Sequence, residues 1–315
     1  MSVPWAGERD SRPCKASASP SSHLRRVPAM PTSTRSHRFA VVDAFTDVPF
    51  RGNPAAVCLL DGAGARVHDA DRKWMLAVAA EFNAPVTAFL AAADTDTDTA
   101  APRFHIRSHT LLQVELCGHA TLATAHFLLT GGVVRSGADA VEFITLSGMV
   151  LTARLLVKEA GNGKRACNDD FSVHRVDRGG FCIELDFPVA SVEECASGEV
   201  MPAMPDTLNG ASVVNICKTS TIGDLMIELS SGEEVARLHP NFKEIQECAK
   251  RAMIITGPAP IGSQVDFITR LFAPNLGVNE ASSRGGTLRL ELDEHAQRVR
   301  IRGEAVTVMV GTLLD

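Results

Sequence analysis

The chain has 315 residues, of which 45% are hydrophobic and 22% charged, with a formal net charge of −6. That length and apolar content can bury two ordinary cores, and two domains is the natural expectation. The negative balance argues against a nucleic-acid or anionic-membrane surface, and no apolar run approaches the ~20 residues that a membrane-spanning helix needs.

Residues 1–37 are rich in Ser, Pro and Arg, with Glu8 and Asp10 the only acids. Such a segment buries too little apolar surface to order itself and reads as a disordered extension. Two origins fit it: an organelle transit peptide, or a translated upstream stretch with the true start at Met30. The globular pattern then begins. Phe39–Phe45 reads as a buried strand, Phe50-Arg-Gly52-Asn53-Pro54 as a turn, and Ala55–Leu60 as a second strand. Asp71 is placed to cap an amphipathic helix over Trp74–Phe82, and strands follow at Val86–Leu90, Phe104–Arg107 and Val114–Leu116. A small-residue helix opens near Gly118. Strands are expected at Val141–Leu146, Met149–Val157 and Phe181–Phe187, with a domain boundary near 176–180. In the second half, strands are expected at Val213–Lys218, Leu225–Leu229, Phe267–Phe272, Leu288–Leu292, Val299–Ile301 and Val306–Val310, and a helix over Phe242–Met253. Many short strands with few helices per half give an α+β fold rather than a doubly wound parallel sheet.

The eight cysteines (Cys14, Cys58, Cys117, Cys167, Cys182, Cys195, Cys217 and Cys248) contain no Cys-x-x-Cys pair, so they read as thiols of a reducing, cytoplasmic compartment and no metal site is expected. Chemistry concentrates in Glu115-Leu-Cys117-Gly118-His119-Ala120-Thr121, where a strand runs into a helix. The first N–H groups of a helix have no internal partner and carry the positive end of its dipole, so the Gly118–Thr121 amides would hold a carboxylate or enolate oxygen. In that field the Cys117 thiol is expected to have a lowered pKa, and the His119 imidazole to stay neutral. The plainer reading is a buried helix packed through its alanines with Cys117 as an apolar filler. Asn53 could aim its amide into a cleft, though Asn-Pro is also an ordinary turn, and Arg284-Gly285-Gly286 could form an anion-binding nest or simply a hairpin connection.

Taken in order, Val42-Asp43-Ala-Phe45, Phe50-x-Gly52-Asn53-Pro54-Ala-Ala-Val57, Glu115–Thr121, Arg270-x-Phe-x-Pro274, Ser283-Arg284-Gly285-Gly286 and Gly303-x-Ala-Val306 to Gly311 resemble the phenazine-biosynthesis F (PhzF-like) family of the diaminopimelate epimerase-like superfamily. The resemblance covers roughly residues 38–315. It implies two similar domains, each a curved sheet wrapped around a central helix, at 38–177 and 178–315, with the last strands returning to the first domain. It also implies cofactor-independent isomerase or epimerase chemistry by proton transfer on a small carboxylate metabolite, no metal, and frequent homodimers. His119 and Cys117 would be the catalytic groups, with Gly118, Ala120, Thr121, Asn53, Arg284 and Gly285 binding substrate.

Two departures touch that chemistry. The family's proton-shuttling glutamate falls at Val86 in Asn83-Ala-Pro-Val86-Thr-Ala-Phe89. The segment that should continue from Glu280 through an aspartate into a second central helix is replaced by Ala281-Ser-Ser. The second domain is therefore expected to lack its helix. A non-catalytic anion-binding pseudoenzyme and a truncated gene product stand as alternatives.

Overall fold

The computed structural model describes residues 36–60, 72–93, 101–110, 113–114, 116–135, 137–157, 181–195, 204–220 and 222–314. The N-terminal extension up to residue 35, the Asp71 cap, Glu115 and the boundary expected near 176–180 lie outside these residues. No helix among them is long and apolar enough to cross a membrane.

The described residues build two sheets. The larger contains eleven strands among the described residues: β1 (Ser36–Ala44), β2 (Asn53–Leu59), β3 (Val86–Ala92), β4 (Arg103–His109), β5 (Gln113–Val114), β6 (Ala140–Ile144), β7 (Val150–Val157), β8 (Phe181–Pro188), β15 (Arg289–Asp293), β16 (Arg298–Gly303) and β17 (Ala305–Leu314). They run in the order β15-β16-β8-β7-β6-β4-β3-β2-β1-β17, with β5 beside β4. At its centre lies helix α2 (Gly118–Thr130), in which every residue from Ala120 to Leu128 is buried. A helix that is buried all round must be enclosed rather than laid on a surface. It touches β1, β2, β3, β6, β7, β8 and β17, from one edge of the sheet to the third strand from the other, which requires the sheet to curl around it. Its small residues (Ala120, Thr121, Ala123, Thr124 and Ala125) let the strands approach. Helix α1 (Arg72–Phe82) packs on the outer face through Met75 and Val78, against Cys58 and Phe89.

The smaller sheet runs β14 (Val278–Ala281), β13 (Phe267–Ala273), β12 (Met253–Pro258), β11 (Leu225–Leu229), β10 (Val213–Thr219), β9 (Val192–Glu194). One face buries Ile216, Leu225, Ile227, Leu229, Met253, Ile255 and Phe272 under three short helices, α3 (Pro205–Leu208), α4 (Gly232–Arg237) and α5 (Phe242–Cys248). β11 and β12 are parallel, and parallel neighbours need a crossover, which α4 and α5 provide. Ser231 caps α4 by accepting the Glu234 N–H, and Asn241 caps α5 by accepting the Lys243 N–H. The helix expected over Phe242–Met253 therefore stops at Cys248, and its last residue opens β12. The β-branched run Ile254-Ile255-Thr256 suits a strand better than a helix interior.

The two halves differ as their sequences do. From Ala281 the chain passes through a tight turn, with the Gly285 N–H donating to Ser282 O at 2.7 Å, and β15, β16 and β17 all join the larger sheet. No helix follows Glu280 among the described residues. Among the described residues the smaller sheet has no helix after β14, and α3–α5 cover its core. The opposite face carries Glu228, Thr269 and the 63%-exposed Val214.

Candidate active site

β2, β3 and α2 converge on the inner face of the larger sheet. Asn53 opens β2 in register with Ala44, and Ala55, two residues on, joins the core around α2. Asn53 is 3% exposed and its Oδ1 is buried without a hydrogen-bond partner. Val86 pairs with Ala55 and lies in the same core, 3% exposed. Valine at this depth supplies packing and no proton.

The amino end of α2 begins at Gly118, preceded by Cys117 in an extended conformation (φ −144°, ψ 99°). Cys117 Sγ lies 3.3 Å from His119 Nδ1. The thiol departs from the sequence expectation. Burial raises it to about 11, outweighing the Ala120 N–H and the Arg251 guanidinium, which both pull it down. Desolvation of a thiolate here costs more than one amide and one distant cation return. His119 follows the expectation: burial lowers it to about 4, so the imidazole is neutral. A protonated thiol beside a neutral imidazole assigns S–H as donor to Nδ1 and leaves the ring proton on Nε2. That nitrogen is buried and has no partner.

The helix amides divide. The Thr121 N–H donates to Cys117 O at 2.9 Å, and the Thr121 hydroxyl donates to the same carbonyl at 2.9 Å. Thr121 is thus committed to the helix rather than to a ligand, and the Cys117 side chain makes no cap hydrogen bond to the helix amides. The amides of Gly118 and His119 precede the helical ladder. Space is open beside Gly118, where even an added Cβ would meet only the Phe187 ring at 4.0 Å, an ordinary contact.

Arg284 and Gly285 do not form an open nest. The Arg284 guanidinium donates to Asp43 Oδ1 at 2.5 Å and to Gly52 O at 3.3 Å, and residues 52 and 284 make an antiparallel bridge. The Asp43 carboxylate, 1% exposed, also accepts the Phe50 N–H at 2.7 Å. With the Gly285 N–H already given to Ser282, this segment splices the smaller sheet's exit onto the β1–β2 loop. Glu280, which ends the family-like stretch, is held by Arg270 through both carboxylate oxygens. Arg251 was not singled out by sequence. Its electrostatic reach to Cys117 depends on the route of the loop before β12, which no local motif encodes.

Residues 42–282 match the model of a family described as phenazine biosynthesis-like protein. The chain is 32% identical to an uncharacterised isomerase of Halalkalibacterium halodurans, over 87% of this chain and 97% of that protein. It is 29% identical to a phenazine biosynthesis-like domain-containing protein of Homo sapiens, with 87% and 97% covered. A crystal structure of a PhzF-family phenazine biosynthesis protein from Enterococcus faecalis superposes with a TM-score of 0.65 at 26% identity, covering 89% of this chain and 99% of that one. The bacterial alignment runs over 302 positions, and 87% of this chain is about 274 residues, so about 28 positions hold a residue of the relative and none of this chain.

Proposed function

The chain belongs to the phenazine biosynthesis-like protein family, whose relatives include proteins named as isomerases, and from that premise we propose that it binds a small carboxylate metabolite at the amino end of α2 and transfers a proton on it slowly, without a cofactor. The observation that carries this reading is the Cys117–His119 pair at the start of a buried helix, with a neutral imidazole whose Nε2 has no protein partner. Nε2–H would donate to the substrate oxygen on which negative charge develops, beside the Gly118 and His119 amides and the positive end of the helix dipole. Cys117, protonated, orients the ring and is a poor base, so the carbon proton would pass to a solvent water at the site and a solvent proton would return to the same carbon. Asn53 Oδ1 supplies an acceptor on the same inner face.

Slowness follows from Val86. A positioned acid or base contributes about 10²–10⁴-fold, and the family's glutamate position holds a side chain that cannot exchange a proton. The test is deuterium incorporation from D₂O into small cyclic carboxylates, followed by proton NMR. The expected result is slow exchange above the buffer rate, abolished by His119→Ala and raised about 10²-fold by Val86→Glu. A binding-only pseudoenzyme is the second reading, favoured by the complete burial of Val86. It would show carboxylate-dependent thermal stabilisation, lost in His119→Ala, with no exchange either in the native chain or in the Val86→Glu variant. A chain showing neither exchange nor stabilisation would overturn the site.

A further inference from the structure

A cavity of about 610 Å³ lies away from α2, between the outer-face helix α1 and the exit of the smaller sheet. Its walls include Leu76 and Ala79 of α1, Pro85, Phe242 of α5, and Leu276 and Val278 around the start of β14. Its volume falls in the range of small-molecule sites, about 300–1,000 Å³. His109, the last residue of β4, lines it and is 1% exposed, yet neither ring nitrogen has a hydrogen-bond partner. Directly opposite His109 in the β3–β4 ladder stands Thr87, 0% exposed, whose Oγ1 is also unpartnered. Three buried polar atoms on one cross-strand pair are a large unmet demand, since most buried polar side-chain atoms find a partner.

The chemistry of the lining narrows what could meet it. Among the described residues the lining contains no Lys or Arg, and its one acid, Glu280, is occupied by Arg270. Burial, with Arg72 and Arg107 assisting, lowers His109 to about 4, so the ring is neutral and offers one donor and one acceptor. A buried anion would find no cation among the described lining residues, Arg72 and Arg107 acting on His109 from outside that lining. An aromatic edge-to-face contact between Phe89 and His109, with centroids 5.6 Å apart, fixes the imidazole plane.

We propose that this cavity binds an uncharged planar ring bearing one hydrogen-bonding group, of the phenol or indole type, with His109 as its polar anchor. The site is separate from the α2 site, so the two ideas stand or fall independently. The experiment uses the full chain, ¹⁵N-labelled, with the His109 ring nitrogens followed by NMR while phenol, indole or benzoate is added. Phenol and indole should shift the His109 signals with millimolar dissociation constants, as suits fragments of this size, and benzoate should bind at least tenfold more weakly. Leu76→Trp, which fills the cavity from α1, should remove the shift, whereas His119→Ala should retain it fully. His109→Phe, which keeps the ring contact with Phe89, should weaken phenol binding at least tenfold as read by competition calorimetry, and it serves if Leu76→Trp does not fold. No shift up to solubility, as for a cavity holding water alone, would overturn the proposal, as would a shift that survives Leu76→Trp, phenol binding undiminished in His109→Phe, or benzoate binding as tightly as phenol.

Discussion

At position 117 two electrostatic effects oppose each other, and burial prevails. A helix start and a cation lower a thiol's pKa, but a thiolate stripped of water is more costly than either can repay. With Cys117 raised to about 11, only about one thiol in 10³ is ionised at pH 8. Alkylation of the folded chain by iodoacetamide, mapped by mass spectrometry at pH 7–8, should therefore label Cys117 much more slowly than an unfolded control. Labelling should climb about tenfold per pH unit up to about pH 11. Rapid labelling at pH 7 would mean that the helix field dominates after all. The same residue shows how far sequence could reach. Gly118 and His119 were legible because a Gly at a strand-to-helix junction leaves a local signature. The sign of the thiol's displacement was not, because it depends on how completely Phe187 and the rest of the sheet close over the helix. His109 and Thr87 escaped for a related reason: polar residues alternating along a strand look solvent-facing until a helix is known to cover that face.

Among the elements, those defined by short-range periodicity were readable and those defined by long-range register were not. β1, β2, α1 and α2 announce themselves through alternation, turn residues and an unbroken apolar helix. The three C-terminal strands were recognised as strands, and the resemblance sent them back to the first domain without naming their individual partners. β16 pairs with β8, more than a hundred residues earlier, and β17 pairs with β1. The segment that carries the chain into that pairing is pinned by Arg284 on Asp43. Asp43 is 1% exposed, so removing the guanidinium leaves a buried carboxylate holding only the Phe50 N–H. Breaking a buried pair from one side typically costs about 3–5 kcal/mol, an upper bound here because the Arg284 side chain is 36% exposed. Arg284→Ala should lower the urea midpoint accordingly, and Asp43→Asn with Arg284→Ala should recover part of the loss. A double variant no better than the sum of the singles would show that the two side chains act separately.

For the molecule as a whole, the two sheets bury their apolar faces in different ways. The smaller sheet turns its apolar face to α3, α4 and α5, and β15, β16 and β17 extend the larger sheet, which curls around α2. The larger sheet and the helix it surrounds enclose several histidines, His119 and His126 on α2 and His109 at the end of β4. His109, His119 and His126 are each lowered to about 4, chiefly by burial. An unfolded histidine titrates near 6.5, so above that value both states are neutral and these groups leave stability unchanged. Below it the unfolded chain takes up protons that the folded chain refuses. Stability should therefore fall from about pH 6.5 down to about pH 4, with up to three protons bound per unfolding event. Each such proton removes about 1.4 kcal/mol for every pH unit crossed, before solvent screening. His126 is the cleanest probe, since it is 6% exposed, stacks on Phe181 and meets Thr307 through Nε2 at 3.0 Å, away from both proposed sites. In urea titrations at pH 7.5, 6, 5 and 4, His126→Gln should flatten the acid slope by about one proton while leaving His109 and His119 to carry the rest. An unchanged slope would place the acid sensitivity of this fold in its carboxylates instead.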